Sequence, residues 1–130
     1  MVEPAKQTTL DGVDDRLVRW WGLVNPIWRE RSKLKLIIAE SIRSQERQDY
    51  LYSLGRTLPG GKVTWVQQSN HQDGRALDVY ILGENRALMG NTDLEMAAYR
   101  WLADIGSGLV EGVSNLGLRS GKDWFHWEVR

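Results

Sequence analysis

Cysteine is missing from this sequence of 130 residues, which excludes disulfides, thiol nucleophiles and thiolate metal sites together. Any metal would have to be held by His, Asp or Glu. A surplus of charge is missing as well, because 17 Lys and Arg residues balance 17 Asp and Glu residues. Broad binding to a phosphate backbone needs a basic excess, so nucleic acid is not an expected partner, although a local basic patch stays open. Long apolar runs are also lacking: stretches such as Leu36 to Ala39 are far too short to span a bilayer. Met1 to Leu10 holds one lysine and no apolar core of a signal peptide. The expectation is a protein made soluble in a cytoplasm, with no stable membrane association.

What is present suits one folded domain. Hydrophobic residues make up 42% and charged residues 26% of the chain, enough to bury a core and too apolar for disorder. Phenylalanine occurs once against seven tryptophans. Most of those indoles are expected to fill a small core, with one or two free to line a cleft.

No repeat or low-complexity segment divides the sequence. From Thr9, Val13, Leu17, Trp20, Trp21 and Val24 recur at helical spacing, with Asp11, Asp14 and Asp15 near the start. Asn25-Pro26 is expected to end or bend that helix. Lys35 to Ser41 reads as a buried strand, and Ser44 as the N-cap of a helix stopped by Gly55. Pro59-Gly60-Gly61 is a turn before the β-rich run Val63 to Val66. Residues 67–75 read as a loop and Ala76 to Leu82 as a strand. Thr92 and Glu95 fit a capping box, opening a helix with Leu94, Ala97, Ala98, Trp101, Leu102 and Ile105 as its apolar face and Gly106 as its stop. Residues 107–122 stay ambiguous, and Asp123 to Val129 is expected to close the chain as a strand. The elements alternate without a βαβ rhythm, so the expected class is α+β with a small antiparallel sheet flanked by helices.

Only two histidines occur, His71 and His126, each beside carboxylates: Asp73 and Asp78, then Asp123 and Glu128. Either could be a satisfied structural residue. Two imidazoles and a carboxylate are also what zinc takes when thiolates are absent.

The pattern around them is more specific. Residues 69–78 fit Ser-x-His-x-x-Gly-x-Ala-x-Asp, and Asp123 precedes His126 by three residues. Arg43-Ser44, Gln48, Leu51-Tyr52 and Gly55-Arg56-Thr57 form a further matching segment, as do Leu10 to Val13 with Leu17-Val18, and Val63-Thr64. Together these resemble the zinc peptidases of peptidoglycan, the VanY and VanX D-Ala-D-Ala peptidase family, with the phage L-alanyl-D-glutamate endopeptidase endolysins as the nearer branch. The resemblance covers roughly residues 10 to 130.

It implies a D-Ala-D-Ala peptidase, or hedgehog-like, fold with one zinc per chain held by His71, Asp78 and His126. Asp123 is then general base and acid, and Arg43 holds substrate or stabilises an oxyanion. Gln48 either contacts substrate or bonds a helix end, and Ser69 either orients a ligand or caps the loop. Asp73 is expected to be a solvated loop acid, Gly74 to permit an unusual backbone conformation, and Glu128 to support the site or lie exposed. Since strand side chains alternate, Asp123 and His126 require a turn or bulge, with the strand starting near Trp124. The implied function is hydrolysis of the L-Ala-D-Glu bond of the stem peptide during host lysis. A D,D-carboxypeptidase or dipeptidase, and a non-catalytic wall-binding module, are the alternatives. The implied enzyme is a monomer, one catalytic domain over residues 1–130 without a separate wall-binding domain. It would wait in the host cytoplasm for holin-type release. Phage relatives often carry Trp-Gly-Gly-x-Trp where this chain has Leu116 to Arg119, so substrate preference is where the resemblance is thinnest.

Overall fold

The first helical stretch forms, but later and longer than its spacing suggests. In the computed structural model, which describes residues 3–62, 64 and 69–130, α1 spans Asp15–Ser32. Asp14 caps it by accepting from the Arg16 N–H at 2.9 Å, and Lys33 ends it in the left-handed region. Pro26 lies inside this helix instead of ending it. A proline forfeits one intrahelical hydrogen bond, and here the neighbouring Asn25 side chain donates to the Trp21 carbonyl at 3.1 Å. The turn beyond Pro26 carries Trp28, which is fully buried. Its burial outweighs the missing bond.

The other elements are β1 (Lys35–Glu40), α2 (Gln45–Ser53), a 3-10 turn (Asn70–Asp73), β2 (Ala76–Leu82), α3 (Asp93–Gly106), β3 (Val113–Asn115), α4 (Leu116–Ser120) and β4 (His126–Val129). Residues 107–122 thus resolve into a short strand and a short helix, and the expected loop at 67–75 contains a helical turn. Of the β-rich run Val63 to Val66, all but Thr64 lies outside the described residues.

The strands form one antiparallel sheet in the order β1-β2-β4-β3. Leu77, Val79 and Ile81 from β2, and Trp127 and Val129 from β4, face a core shared with Leu17, Trp20, Val24 and Trp28 of α1 and with Tyr99, Leu102 and Ala103 of α3. Helices α1 and α3 therefore cover one face, and the class is α+β as expected. The tryptophans mostly do what the composition suggests. Trp20, Trp28 and Trp127 are fully buried, whereas Trp101 is 41% exposed. Leu94 is 85% exposed, and Ala97 and Trp101 are exposed as well, so the buried face of α3 is rotated from the expected one and runs through Tyr99, Leu102, Ala103 and Gly106. Thr92 caps α3 by accepting from the Glu95 N–H at 3.1 Å. The Glu95 carboxylate accepts from the Met89 and Gly90 N–H groups, drawing in the preceding loop, and meets the cap through the Thr92 hydroxyl at 3.5 Å instead of the Thr92 N–H. No helix among the described residues is long and apolar enough to cross a membrane.

One irregularity decides where the site lies. Leu36 and Ile38 oppose Ile81 and Val79 on the core face, but the register then shifts and Glu40, not Ala39, opposes Asp78. A bulge inserts one residue and moves the next side chain to the other face. Asp78 also opposes His126 across β4. Glu40, Asp78 and His126 consequently form one row across three strands, on the face the core does not use.

Candidate metal centre

His71 reaches this row from the 3-10 turn. Ser69 caps that turn by accepting from the His71 N–H, while the Gln72 side chain returns to accept from the Ser69 N–H at 2.8 Å, a complete capping box. Ser69 is thus the loop's cap, and its cap fixes the residue that carries the imidazole. Gly74 ends the turn at φ +71°, in the left-handed region, with its Cα against the Gly12 carbonyl oxygen where a Cβ would collide. Side chains are excluded there on both counts. Asp73 is exposed, as expected.

The imidazole orientations follow from their outer partners. The His71 Nδ1–H donates to the Ser41 carbonyl at 2.7 Å, an oxygen that can only accept, so Nε2 keeps its lone pair and faces Asp78 Oδ1 at 3.2 Å. His126 is held the other way round. Its Nε2–H donates to Glu128 Oε1 at 2.8 Å, which leaves Nδ1 facing the same Asp78 oxygen at 3.4 Å. Glu128 also accepts from Asn70 at 3.3 Å and Arg119 at 3.5 Å, so it supports the site and is not an exposed acid.

Two nitrogen lone pairs and a carboxylate oxygen converge here, all within 4.8 Å of one another. Such a cluster repels itself unless a cation occupies it, either shared protons or a metal. Ligands about 2.0–2.1 Å from a tetrahedral zinc are separated by about 3.3–3.4 Å, close to the 3.2 and 3.4 Å observed. The residues therefore fit zinc. The hydrogen bonds on the outer nitrogens are the usual device for fixing the tautomer and direction of metal-binding histidines.

With protons on the two inner nitrogens in place of a metal, burial still pushes the Asp78 carboxyl up, but hydrogen bonds and charge from His126 and His71 outweigh it and hold the group well below the usual carboxylate range. Asp123 behaves oppositely. Burial, and then the charge of Asp78, raise its carboxyl above the ordinary value despite His126 and His71. His126 is raised as well: burial lowers it, but Asp78 prevails. Asp123 has φ +62°, and the His126 N–H donates to its carbonyl at 3.3 Å. The anticipated turn is present. The strand, however, begins at His126 and not near Trp124, because Asp123, Trp124 and Phe125 are spent in that turn.

Arg43 lies beside the cluster, with Nη2 3.9 Å from Asp78 Oδ2. The same nitrogen donates to Glu40 Oε1 at 2.7 Å and Nη1 donates to Gln48 Oε1 at 2.8 Å. Its Nε is buried with no partner among the described residues. Gln48 is fully buried and meets the site through Arg43. Sequence reasoning passed over Glu40, Ser41, Arg47 and Asn115. Glu40 carries a signal, an acid three residues before Arg43, whereas Ser41 acts through its carbonyl and leaves no trace in side-chain pattern.

The fold and site together give an α+β domain with a His-Asp-His cluster able to hold a metal ion. No family model matches the chain. It is 29% identical over 96 residues to the peptidoglycan L-alanyl-D-glutamate endopeptidase CwlK of Bacillus subtilis (strain 168), a match covering 70% of this chain and 54% of CwlK. The chain thus spans about half the length of that curated relative. Among solved structures, the L-Ala D-Glu endopeptidase ChiX of Serratia marcescens superposes with a TM-score of 0.62 at 24% identity, covering 98% of this chain and 92% of ChiX. VanYB in complex with D-alanine-D-alanine gives 0.59 at 16% identity, over 99% and 78% of the two chains. A D,D-pentapeptidase VanY variant from the VanB-type resistance cassette, in complex with Zn(II), gives 0.57 at 18% identity, over 90% and 72%. These likenesses show a VanY-like peptidase fold for this chain.

Proposed function

We propose that the protein is a zinc-dependent peptidoglycan endopeptidase that hydrolyses the L-Ala-D-Glu bond of stem peptides, in the role of a phage endolysin. The observation that carries this reading is the convergence of three acceptor atoms from His71, Asp78 and His126, each imidazole held from behind by a fixed acceptor. His71, Asp78 and His126 would hold the zinc, which would supply Lewis acidity at this point. The Asp123 carboxylate takes the proton of the attacking water and returns it to the nitrogen of the leaving amine. Its raised pKa suits both halves of that exchange. Arg43 presents positive charge beside Asp78 and meets either the substrate or the oxygen that becomes negative as the carbonyl is attacked.

The choice of bond rests on CwlK and ChiX, both named for L-Ala-D-Glu cleavage, and on the phage-type segments Leu10 to Val18 and Arg43 to Thr57. In that role the enzyme accumulates in the host cytoplasm, acts as a monomer and reaches the wall through a holin-type lesion. Digestion of purified walls followed by mass spectrometry of the muropeptides tests the reading. New N-terminal D-Glu, with L-Ala left on the muramyl lactate, is expected, together with one zinc per chain by elemental analysis. Release of free D-Ala with the L-Ala-D-Glu bond intact would replace the reading with a D,D-carboxypeptidase. Full activity of a zinc-free chain in chelator would end it.

A further inference from the structure

Asp123 sits at φ +62°, a left-handed conformation that few residues other than Gly, Asn and Asp adopt and that its surroundings here hold in place. The residues that impose it lie outside the metal cluster. On one side, the Phe125 carbonyl accepts from the Val79 N–H at 2.9 Å, and the Phe125 ring packs edge-on against Tyr80 and Tyr99. On the other side, the turn leans on α4. Asn115, only 1% exposed, donates from Nδ2 to the Trp124 carbonyl at 3.0 Å and accepts at Oδ1 from the Leu118 N–H at 3.1 Å. One amide thus caps α4 and ties it to the residue after Asp123. Gly117 completes the seat. Its bare Cα lies under the Trp124 indole, where a Cβ would stand 2.6 Å from Cγ and 2.7 Å from Cε3 and would also strike Cδ2. Arg100 lies over the same ring system, 5.8 Å from its centroid, within cation–π range.

We propose that Gly117 and Asn115 are positioning residues that set the Asp123 carboxylate by seating Trp124. Both are buried, so they act without touching substrate. The proposal rests on the reading of Asp123 as the base. It also assigns a task to the Leu116 to Arg119 segment, the stretch where this chain departs from its phage relatives.

Gly117→Ala should push the indole away and turn Asp123 off its line. Misplacement of about 1 Å can cost on the order of a hundredfold in rate, so kcat on soluble muropeptide is expected to fall roughly ten- to a hundredfold, with zinc content and KM near wild type. Asn115→Asp, which keeps the α4 cap acceptor and loses the donor to Trp124, should give the same signature even if the alanine variant does not fold. In a Trp124→Leu background the extra methyl has no indole to strike, so Gly117→Ala should there add little. Folded Gly117→Ala and Asn115→Asp proteins with wild-type kcat would overturn the proposal, as would an equal loss from Gly117→Ala in both backgrounds. Should the wild-type protein prove inert on walls, the reading of Asp123 falls separately. The Trp124 indole N–H resonance then decides the positioning claim: a shift in Gly117→Ala supports a moved turn, and an unmoved resonance refutes it.

Discussion

Glu40 offers the sharpest test of how the site is held up. Its carboxylate is 4% exposed and bridges two buried guanidiniums, Arg43 through Nη2 at 2.7 Å and Arg47 through a short bond from Nε. Burial raises the Glu40 carboxyl, but the hydrogen bonds from Arg43 and Arg47 outweigh it and leave the group below its ordinary value of 4.5. Glu40→Gln keeps the shape and one acceptor oxygen, but among the described residues leaves Arg43 with only Asp78 at 3.9 Å and Arg47 with only Glu3 at 3.7 Å as counter-charges. Removing one partner of a buried ion pair costs about 3–5 kcal/mol. The lower end applies here, because Arg43 retains Gln48 and Arg47 retains the Pro4 carbonyl at 3.0 Å. For a domain of this size about 3 kcal/mol corresponds to a fall in Tm of roughly 10 °C.

Urea unfolding at neutral pH, with the m-value checked for constancy, measures the loss. The pH dependence follows from the direction of the shift. A carboxyl depressed in the folded state contributes its full stability above its unfolded pKa and loses it as pH falls through the folded value. The gap between wild type and Glu40→Gln should therefore be complete above about pH 5 and shrink below about pH 4. A loss under about 1 kcal/mol at neutral pH, the scale of an exposed ion pair, would refute the reasoning. So would a gap that widens in acid.

The remaining predictions concern the metal centre. Asp123→Asn should retain zinc and fold while kcat falls by about two to four powers of ten, the scale of general acid–base catalysis; near-normal turnover of a zinc-loaded sample would remove Asp123 from that role. Glu128→Ala frees the His126 Nε2–H and should weaken zinc binding about 10- to 100-fold in chelator competition, with unchanged affinity as the contrary result. The acid limb of kcat/KM, read across pH, should fall above the ordinary aspartate value of 3.8, because burial and Asp78 raise Asp123; a limb at or below that value would contradict the environment described for the turn.

The ligand set was legible in the sequence because histidines are scarce and their spacing matches a specific motif, and the structure brings His71, Asp78 and His126 to one point. The direction of each ring was not legible. It depends on a backbone carbonyl from Ser41 and on a cross-strand carboxylate, and both are products of register. β2 was read to the residue from its run of β-formers, and Ser44 and Thr92 announced their caps. Of the two outcomes expected at Asn25-Pro26, an end or a bend, the end does not occur, because the burial of Trp28 beyond it outweighs one lost hydrogen bond. The box of Ser69 and Gln72 was overlooked because it opens a single 3-10 turn with no apolar periodicity behind it. Residues 107–122 gave no pattern since their elements are three and five residues long, too short for any period to show.

The row made by the bulge explains how one sheet face keeps two nearby carboxylates in different states. Asp78 sits at the centre, flanked across the strands by Glu40 and His126, and every neighbour that could carry positive charge points at it. Arg43 approaches its outer oxygen and both imidazoles its inner one. It stays ionised and can hold a cation. Asp123 lies off the row, in the turn before β4, where burial and the charge of Asp78 raise it and no arginine among the described residues pairs with it. Environments that push two carboxyl groups apart in pKa divide ligand or nucleophile from acid or base. Here the division depends on a single inserted residue, because without the shift at Ala39 the Glu40 carboxylate would turn into the core. Arg43 would then lose the anchor that holds it toward Asp78, and the contrast between the two aspartates would weaken. The strand irregularity is therefore part of the site, as much as any residue of the His-Asp-His cluster.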